Sequence, residues 1–444
     1  MKNDIKRYVV VGTGITGSSV VSYLLAQNHF VMAMDSRDLP PNAEKIKKQV
    51  GKENVCFGKF NQQWLSDADV IVLSPGIDIK TQEIQLAIKH GVEVLGDIDI
   101  FAHDSQKPYL AITGSNGKST VATLATEILK SQGLNVRAGA NLGEPALNLL
   151  NDAAVDIYVL ELSSFQLETS RSIAPDVAVV LNVSEDHLDR HESLDQYFRI
   201  KMSIYDNAKY KVVPRNTQIG KAFNHVTSFG LDAPQKDNFG ILQDETGEWF
   251  ARGDKNLLNT NQIGLIGESG KLNVLAALAL TDAYIKNWDD ALQAASEFSG
   301  LSHRCELVLD KNDIQWIDDS KGTNIGATTA AINGIERPII LLLGGIHKGG
   351  SLVDLVEAVK GNVKTVIVYG QDKKLFFEAL NDFVDTYVAT SLDHAVTLAS
   401  EHAKRGDTVL LSPACASFDM FANYEERGNE FQALVRMQEE VDGC

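Results

Sequence analysis

Apolar, β-branched runs that stop at a small-residue loop and give way to a helix-like segment recur along the chain. Residues 8–11 run into Gly12-Thr-Gly14-Ile-Thr-Gly17 and then SSVVSYLLA; residues 30–34 end at Asp35, and 70–73 end in Ser74-Pro75-Gly76. The pattern restarts at 109–113, before GSNGKST and a helix predicted over 121–131. It continues at 157–160, ending at Glu161, and at 177–181, ending at Asn182. A third set precedes DDSKGTN, GGIHKGG, Gly370 and SPACAS, with strands predicted at 314–317, 339–343, 365–369 and 408–411. Strands alternating with helices in this way predict an α/β fold built on parallel sheets. Such sheets bind ligands beyond the carboxyl ends of their strands, so these loops are where chemistry is expected.

The chain has 444 residues, which at roughly 150 residues per domain predicts three domains. The breaks fall near 97 and 301, giving 1–97, 98–300 and 301–444, each long enough to bury a core of its own. The polar, Gly- and Asn-rich stretch 217–266 predicts hairpins at a domain edge, and 272–285 a strongly apolar helix. Lys and Arg total 41 against 59 Asp and Glu, a formal net charge of −18. That balance counts against nucleic acid and anionic membranes as partners, though not against small anions, which read local charge. No run approaches the ~18 apolar residues of a spanning helix, and no export signal is legible. Four scattered cysteines without a CxxC pair fit reduced thiols in a cytoplasmic protein.

Gly12-x-Gly14-x-x-Gly17 follows a strand and opens a helix, with Asp35 about twenty residues on. This is the dinucleotide fingerprint in its proper context. Its glycines let a diphosphate approach the helix N-terminus, and Asp35 offers acceptors to a ribose or base. A nicotinamide cofactor and any other nucleoside diphosphate fit it equally. The second loop lacks the first glycine of the strict phosphate-loop pattern, because Ile112 stands there, but keeps Gly117-Lys118-Ser119. Lys118 would reach the β- and γ-phosphates, and the hydroxyl of Ser119 or Thr120 a magnesium ion. Two nucleotide loops are one more than a simple dehydrogenase needs. Glu161 and His187, at the ends of neighbouring strands, are of the type that supports a hard cation. Lys201 lies between apolar residues in FRIKMSIY, where a lysine must be paired, modified or snorkelling. Arg304, Asp319, Lys321, Lys348 and Ser417 place cations and hydroxyls on consecutive loops of the third domain, as a binding face would.

GxGxTG, SPGI, ITGSNGKST, LELSSFQLE, LNVSEDHLDR, SHR, DDSKGTN, LLLGG, LLSPACAS and YEERGNEF occur in order over nearly the whole chain. In these it resembles the Mur ligases, the ATP-dependent amide-forming enzymes of peptidoglycan precursor synthesis, and among them the D-glutamate-adding branch. The resemblance implies a Rossmann-like N-terminal domain for the UDP substrate, a central P-loop ATPase-like domain, and a Rossmann-like C-terminal domain for the incoming amino acid. It implies that Ile15, Thr16, Asp35, Ser36, Arg37 and Ser74, Pro75 and Gly76 hold uridine diphosphate, with Asn141 near the reacting end. Ser115, Asn116, Gly117, Lys118, Ser119, Thr120 and Val121 would hold the ATP phosphates, and Asn273, Arg304 and Asp319 would serve the rest of the nucleotide. Ser119, Glu161, His187 and a carbamylated Lys201 would bind Mg²⁺; Lys118, His187 and Lys201 would be the catalytic groups. Lys321, Thr323, Lys348, Ser417 and Tyr424 would surround D-glutamate. The implied reaction, in the cytoplasm and by a monomer, joins D-glutamate to UDP-N-acetylmuramoyl-L-alanine through an acyl phosphate.

Three departures carry expectations of their own. Gly267-Glu-Ser269-Gly270-Lys-Leu-Asn273 replaces the usual G-x-H-N-x-x-N near the adenine, leaving Asn273 alone of the polar trio. Tyr424 stands where Phe is common, so its hydroxyl needs a partner. Gly322 replaces a usual Ala and should loosen the loop before Thr323. Among other classes, an NAD-dependent dehydrogenase would leave the second loop idle. A regulator that senses a nucleotide sugar would have no need of Glu161, His187 and Lys201 together. The diaminopimelate-adding ligases carry a D-N-P-R signature that is absent here, and a folylpolyglutamate synthase would not explain Asp35 and the first loop.

Overall fold

The computed structural model describes residues 5–187 and 190–441. Among these residues the strands form three sheets, of five, nine and six strands. Numbering strands in chain order within each sheet, the first has the order 3-2-1-4-5 and is parallel throughout. Its central strand, Arg7–Val11, lies between Phe30–Asp35 and Val70–Leu73. The Gly12 loop, Asp35 and Ser74 therefore meet at one edge, as doubly wound sheets require.

The second sheet runs 9-8-7-6-5-4-1-3-2. Tyr109–Thr113 sits between Ile157–Glu161 and Val177–Val180, so the phosphate loop, Glu161 and the 182–187 stretch emerge side by side. Hairpins are observed in the polar stretch: Phe239–Asp244, Gly247–Arg252 and Lys255–Asn259 pair antiparallel at the sheet's edge. In the third sheet, of order 1-2-6-3-4-5, Thr408–Leu411 lies between Ile314–Asp318 and Ile339–Gly344. This brings DDSKGTN, GGIHKGG and SPACAS together.

Several elements differ from the sequence-based expectations. The apolar helix begins at Gly267 and runs to Thr281, five residues ahead of the predicted start. Gly267 has φ +72°, and a Cβ on Gly270 would come within 2.8 Å of the Leu265 side chain. The GESG segment therefore forms a first turn pressed onto the preceding bend, where its two glycines leave no room for side chains. Short strands at Val55–Phe57, Glu93–Leu95, Val136–Ala140, Glu306–Lys311 and Asp385–Val388 occupy positions at or beside sheet edges, where partial exposure dilutes the apolar signal.

Each third has an apolar cluster of its own residues, and a further cluster spans the first two. Val10, Val20, Val21 and Leu24 of the first sheet and its helix Ile15–Ala26 join Ile98, Phe101, Ala146 and Leu147 in one apolar cluster. The third unit keeps two clusters of its own, one on each face of its sheet. Cys56, Cys305 and Cys415 are free thiols, and Cys444 lies outside the described residues. Among the described residues no helix is long and apolar enough to cross a membrane.

Arg427, on the final helix Tyr424–Val441, is completely buried. Its guanidinium donates to Ser320 Oγ (2.9 Å), Ser320 O (2.7 Å) and Cys415 O (3.1 Å), tying two of the ligand-side loops together. Arg427→Leu would strand buried acceptors, and we expect it to cost about 2–4 kcal/mol, read as a lower denaturation midpoint. An unchanged midpoint would show that these bonds carry no net stability.

Candidate active site

The first loop is shaped by two glycines. Gly12 has φ +90°, and a Cβ on Gly17 would lie 1.8 Å from the Gly12 carbonyl oxygen, so helix and loop touch backbone to backbone. Ile15 is 73% exposed at the helix start, and Thr16, Ser36, Arg37, Ser74, Pro75 and Gly76 surround the same edge with partial or full exposure. Asp35 differs from its expected role. It is buried, and its carboxylate accepts from Thr13 N (2.8 Å), Thr13 Oγ1 (3.1 Å), Arg37 N (3.0 Å), Arg37 Nε (2.8 Å) and Arg37 Nη2 (2.8 Å). Burial alone would raise its pKa, but Arg37 and Thr13 outweigh it and hold the carboxyl well below the usual range. Its acceptors are committed to the protein, so Asp35 orients Arg37, whose side chain stays about half exposed.

The phosphate loop turns at Gly117 (φ +84°), where a Cβ would meet Asn273 Oδ1 at 2.5 Å. Asn182 at the adjacent strand end grips Asn116: its Oδ1 accepts from Asn116 N (2.9 Å) and its Nδ2 donates to Asn116 O (3.0 Å). Lys118 Nζ donates to Gly114 O (2.8 Å) and Ser115 O (2.9 Å), folded back over its own loop. Lys201, on the helix Leu194–Met202, is 1% exposed and donates to the same Gly114 O at 2.8 Å. Burial lowers both amines, Lys201 well below the usual lysine range, with the Lys118 charge adding to the effect. Lys201 is thus a fully buried amine, not a snorkelling one.

Ser115, Asn116, Gly117, Lys118, Ser119, Asn141, Glu161, His187 and Lys201 line a cavity of about 900 Å³ together with Arg304, Lys321, Thr323, Lys348, Ser417 and Tyr424 from the third unit. Polar contacts join the two sides. Arg304 Nη2 donates to Ser119 Oγ (2.8 Å), and Lys348 Nζ lies 3.4 Å from Asp186 Oδ1 and donates to Thr323 Oγ1 (3.2 Å). Asn141 Nδ2 donates to Glu161 Oε1 (2.6 Å), whereas Glu161 Oε2 is buried without a partner. Lys321 Nζ stands 3.7 Å from the centre of the Tyr424 ring, and burial followed by the nearby Arg304 charge lowers its amine to about 8. The Tyr424 phenol is pushed up to about 12 by burial and by Glu425 beside it.

A smaller adjoining pocket is lined by Thr120, Leu265, Ser269, Gly270, Asn273, Asp319 and Gly322, and shares Asn116, Gly117, Arg304 and Lys321 with the cavity. Burial raises the Asp319 carboxyl to about 7; it accepts from Ser412 Oγ at 2.7 Å. Gly322 does not loosen this loop as expected. An added Cβ would lie 2.4 Å from Asp319 Oδ2 and 2.7 Å from Ser412 Oγ, so glycine is what lets the turn close over the carboxylate. Val121 also departs from its expected place: it is fully buried in the apolar cluster under the loop and lines neither pocket.

Two residues not singled out from the sequence prove central. Asn324 Nδ2 donates to Asn116 Oδ1 and to Asp186 Oδ2, both at 3.1 Å, stitching the third unit to the phosphate loop. Asp186 is buried beside Lys348, His187 and Lys118, whose charges outweigh the burial effect and lower its pKa. Their sequence signal was adjacency alone, Asp186 to His187 and Asn324 to Thr323.

Three family models match successive stretches: Mur ligase MurD-like, N-terminal domain, over residues 6–96; Mur ligase middle domain over 112–281; and Mur ligase, glutamate ligase domain, over 303–415. The UDP-N-acetylmuramoylalanine–D-glutamate ligase of Hahella chejuensis is 42% identical over 439 residues, covering 97% of this chain and 98% of that one. Its namesake from Acinetobacter baylyi is 41% identical over 439 residues, covering 96% and 97%. Among solved structures, the UDP-N-acetylmuramate-alanine ligase of Thermotoga maritima superposes with a TM-score of 0.59 at 18% identity, covering 98% of this chain and 100% of that one. The MurF ligase of Thermotoga maritima in complex with ADP gives 0.59 at 15% identity, covering 98% and 96%. At such identities the structures speak for the fold, while the three models and the full-length relatives speak for descent: the chain belongs to the Mur ligase family.

Proposed function

We propose that the chain joins D-glutamate to UDP-N-acetylmuramoyl-L-alanine with cleavage of ATP, the activity for which its full-length relatives are named. The observation that carries the chemistry is the single cavity lined both by the phosphate loop and by the third unit's cationic loops. An NAD-dependent dehydrogenase would leave that shared cavity without a use. We assign one substrate to each third of the chain, with breaks near 97 and 301, and place the reaction in the cytoplasm with the monomer as the working unit.

The L-alanyl carboxylate attacks the γ-phosphorus of ATP, and ADP leaves. Lys118, once released from the Gly114 and Ser115 carbonyls, faces the phosphates with a full positive charge, and Arg304 adds a second. Phosphate oxygens repay the burial that depresses the Lys118 amine. The D-glutamate amine then attacks the acyl carbon, a proton is lost from nitrogen, and phosphate leaves. Lys348, Thr323, Ser417 and Lys321 hold the amino acid, and the Tyr424 ring keeps the Lys321 ammonium in place. His187 and Asn141 orient the reacting end of the nucleotide substrate. Alignment of three reactants supplies much of the rate.

Magnesium suits this donor set. Glu161 Oε2 is a buried carboxylate oxygen with no partner, in the same cavity as Ser119 and His187. Glu161, His187, Ser119 and the Lys201 carbamate would hold the ion, which when bound offsets charge on the phosphates. Carbamylation suits Lys201: burial disfavours its ammonium form, and the neutral amine can add to carbon dioxide, lose a proton and become an oxygen donor.

The activity test is phosphate release from ATP with UDP-N-acetylmuramoyl-L-alanine, comparing D-glutamate, L-glutamate and diaminopimelate. Release that depends on D-glutamate is expected; a preference for diaminopimelate would overturn the substrate. Lys201→Ala should keep the fold by circular dichroism and lose at least a hundredfold in kcat, and ¹³C-bicarbonate should give a carbamate carbon signal in the parent protein only. Near-normal turnover would remove the modification from the mechanism. Lys348→Ala should raise KM for D-glutamate at least tenfold while changing that for ATP less than threefold; equal effects would contradict its assignment.

A further inference from the structure

Arg190 has no part in the reaction just described, yet it touches the first unit and the His187 shelf at once. Its guanidinium holds Glu168 by a two-pronged pair (Nη2 to Oε2 2.6 Å, Nη1 to Oε1 3.3 Å) and lies 3.4 Å from Asp78 Oδ1. Asp78 belongs to the loop that follows Ser74-Pro75-Gly76. Nearby, Lys80 Nζ of that loop pairs with Glu192 at 2.6 Å. The guanidinium carbon sits over the Phe165 ring, 5.7 Å from its centre, and the same ring stacks on His191 at 5.4 Å and packs edge-on against the His187 imidazole at 5.0 Å. The Arg190 amide also donates to the His187 carbonyl (3.0 Å), where His187 takes a positive φ of 55°. One side chain therefore touches the ring that packs on the imidazole and also an anion of the 74–80 loop.

We infer that Arg190 is a positioning residue that sets the orientation of the His187 ring according to the state of the 74–80 loop. The Arg190–Glu168 pair is the fixed anchor, being bidentate and largely shielded from water, and Asp78 is the movable contact. When uridine diphosphate settles against Ser74-Pro75-Gly76, the carboxylate of Asp78 shifts with its loop and the guanidinium plane follows. Phe165 transmits the change because a ring packed between a guanidinium and an imidazole cannot tilt alone. The inference rests on the proposal that the first unit binds the UDP portion of the substrate.

The test uses uridine 5′-diphosphate alone, so it needs no turnover. Its binding to the full chain is measured by calorimetry, and the His187 ring resonances, assigned with His187→Gln, are followed by NMR. In the parent protein the ligand should bind and shift those resonances. Asp78→Asn should still bind it, within fivefold of the parent, but lose most of the shift. Arg190→Lys, which keeps the charge and loses the fork and the flat face, should behave likewise. In steady state both variants should lower kcat at least fivefold and leave KM for ATP within twofold. The double variant should be no worse than Arg190→Lys alone. A full His187 shift in Asp78→Asn, or additive losses in the double variant, would overturn the role of Arg190 and leave the ligase reading standing. Failure of the diphosphate to bind the parent protein would overturn the assignment of the first unit, and this inference with it. Should Arg190→Lys fail to fold, the Asp78→Asn result decides.

Discussion

The carbonyl oxygen of Gly114 accepts a hydrogen bond from each of two lysines, the half-buried Lys118 and the buried Lys201, both at 2.8 Å. Two ammonium groups sharing one acceptor away from water repel each other strongly, and the arrangement is tolerable only where anions are close or one amine is neutral. Much of the surrounding architecture answers that constraint. Glu161 ends one neighbouring strand, Asp186 follows the other, and one Glu161 oxygen is left without a partner. The site is a hollow in which lysines and carboxylates face one another at close quarters.

Sheet order makes this possible. In each unit a central strand is flanked by strands whose loops carry complementary groups, and the three loop edges supply the three sets of ligand-facing residues. The acidic excess of the chain is compatible with this, since Arg37, Lys118, Arg304, Lys321 and Lys348 are all collected at these edges.

Much of the fold could be read from the sequence because buried parallel strands are nearly pure apolar runs: Val70–Leu73, Tyr109–Thr113 and Thr408–Leu411 fall where they were expected. The short edge strands could not, because exposure on one side mixes their composition. The site was legible where a residue's chemistry is unusual for its place, as with Lys118 in its glycine loop or Lys201 in an apolar helix. It was illegible where function depends on a neighbour supplied by topology. Asn324 matters because Asn116, 208 positions away, lies opposite it, and Asp35 serves Arg37 because Thr13 has already turned its carboxylate inward. Gly322 shows the same limit. Its lack of a side chain reads as looseness in one dimension and as a close fit in three.

The apolar cluster that runs from the first sheet into the second has a mechanical meaning. Two units that share greasy packing cannot part without exposing it to water, so they behave as one block. The third unit meets that block through polar contacts, such as Arg304 to Ser119, Asn324 to Asn116 and Lys348 to Asp186, and through a smaller apolar seam in which Ile266 packs on the third unit's core. The molecule is therefore built like a vice, with one jaw fastened by apolar packing and the other held largely by polar contacts. Added salt screens the ion pairs of the second jaw and leaves the greasy joint of the first untouched, so the two grips answer to different properties of the solvent.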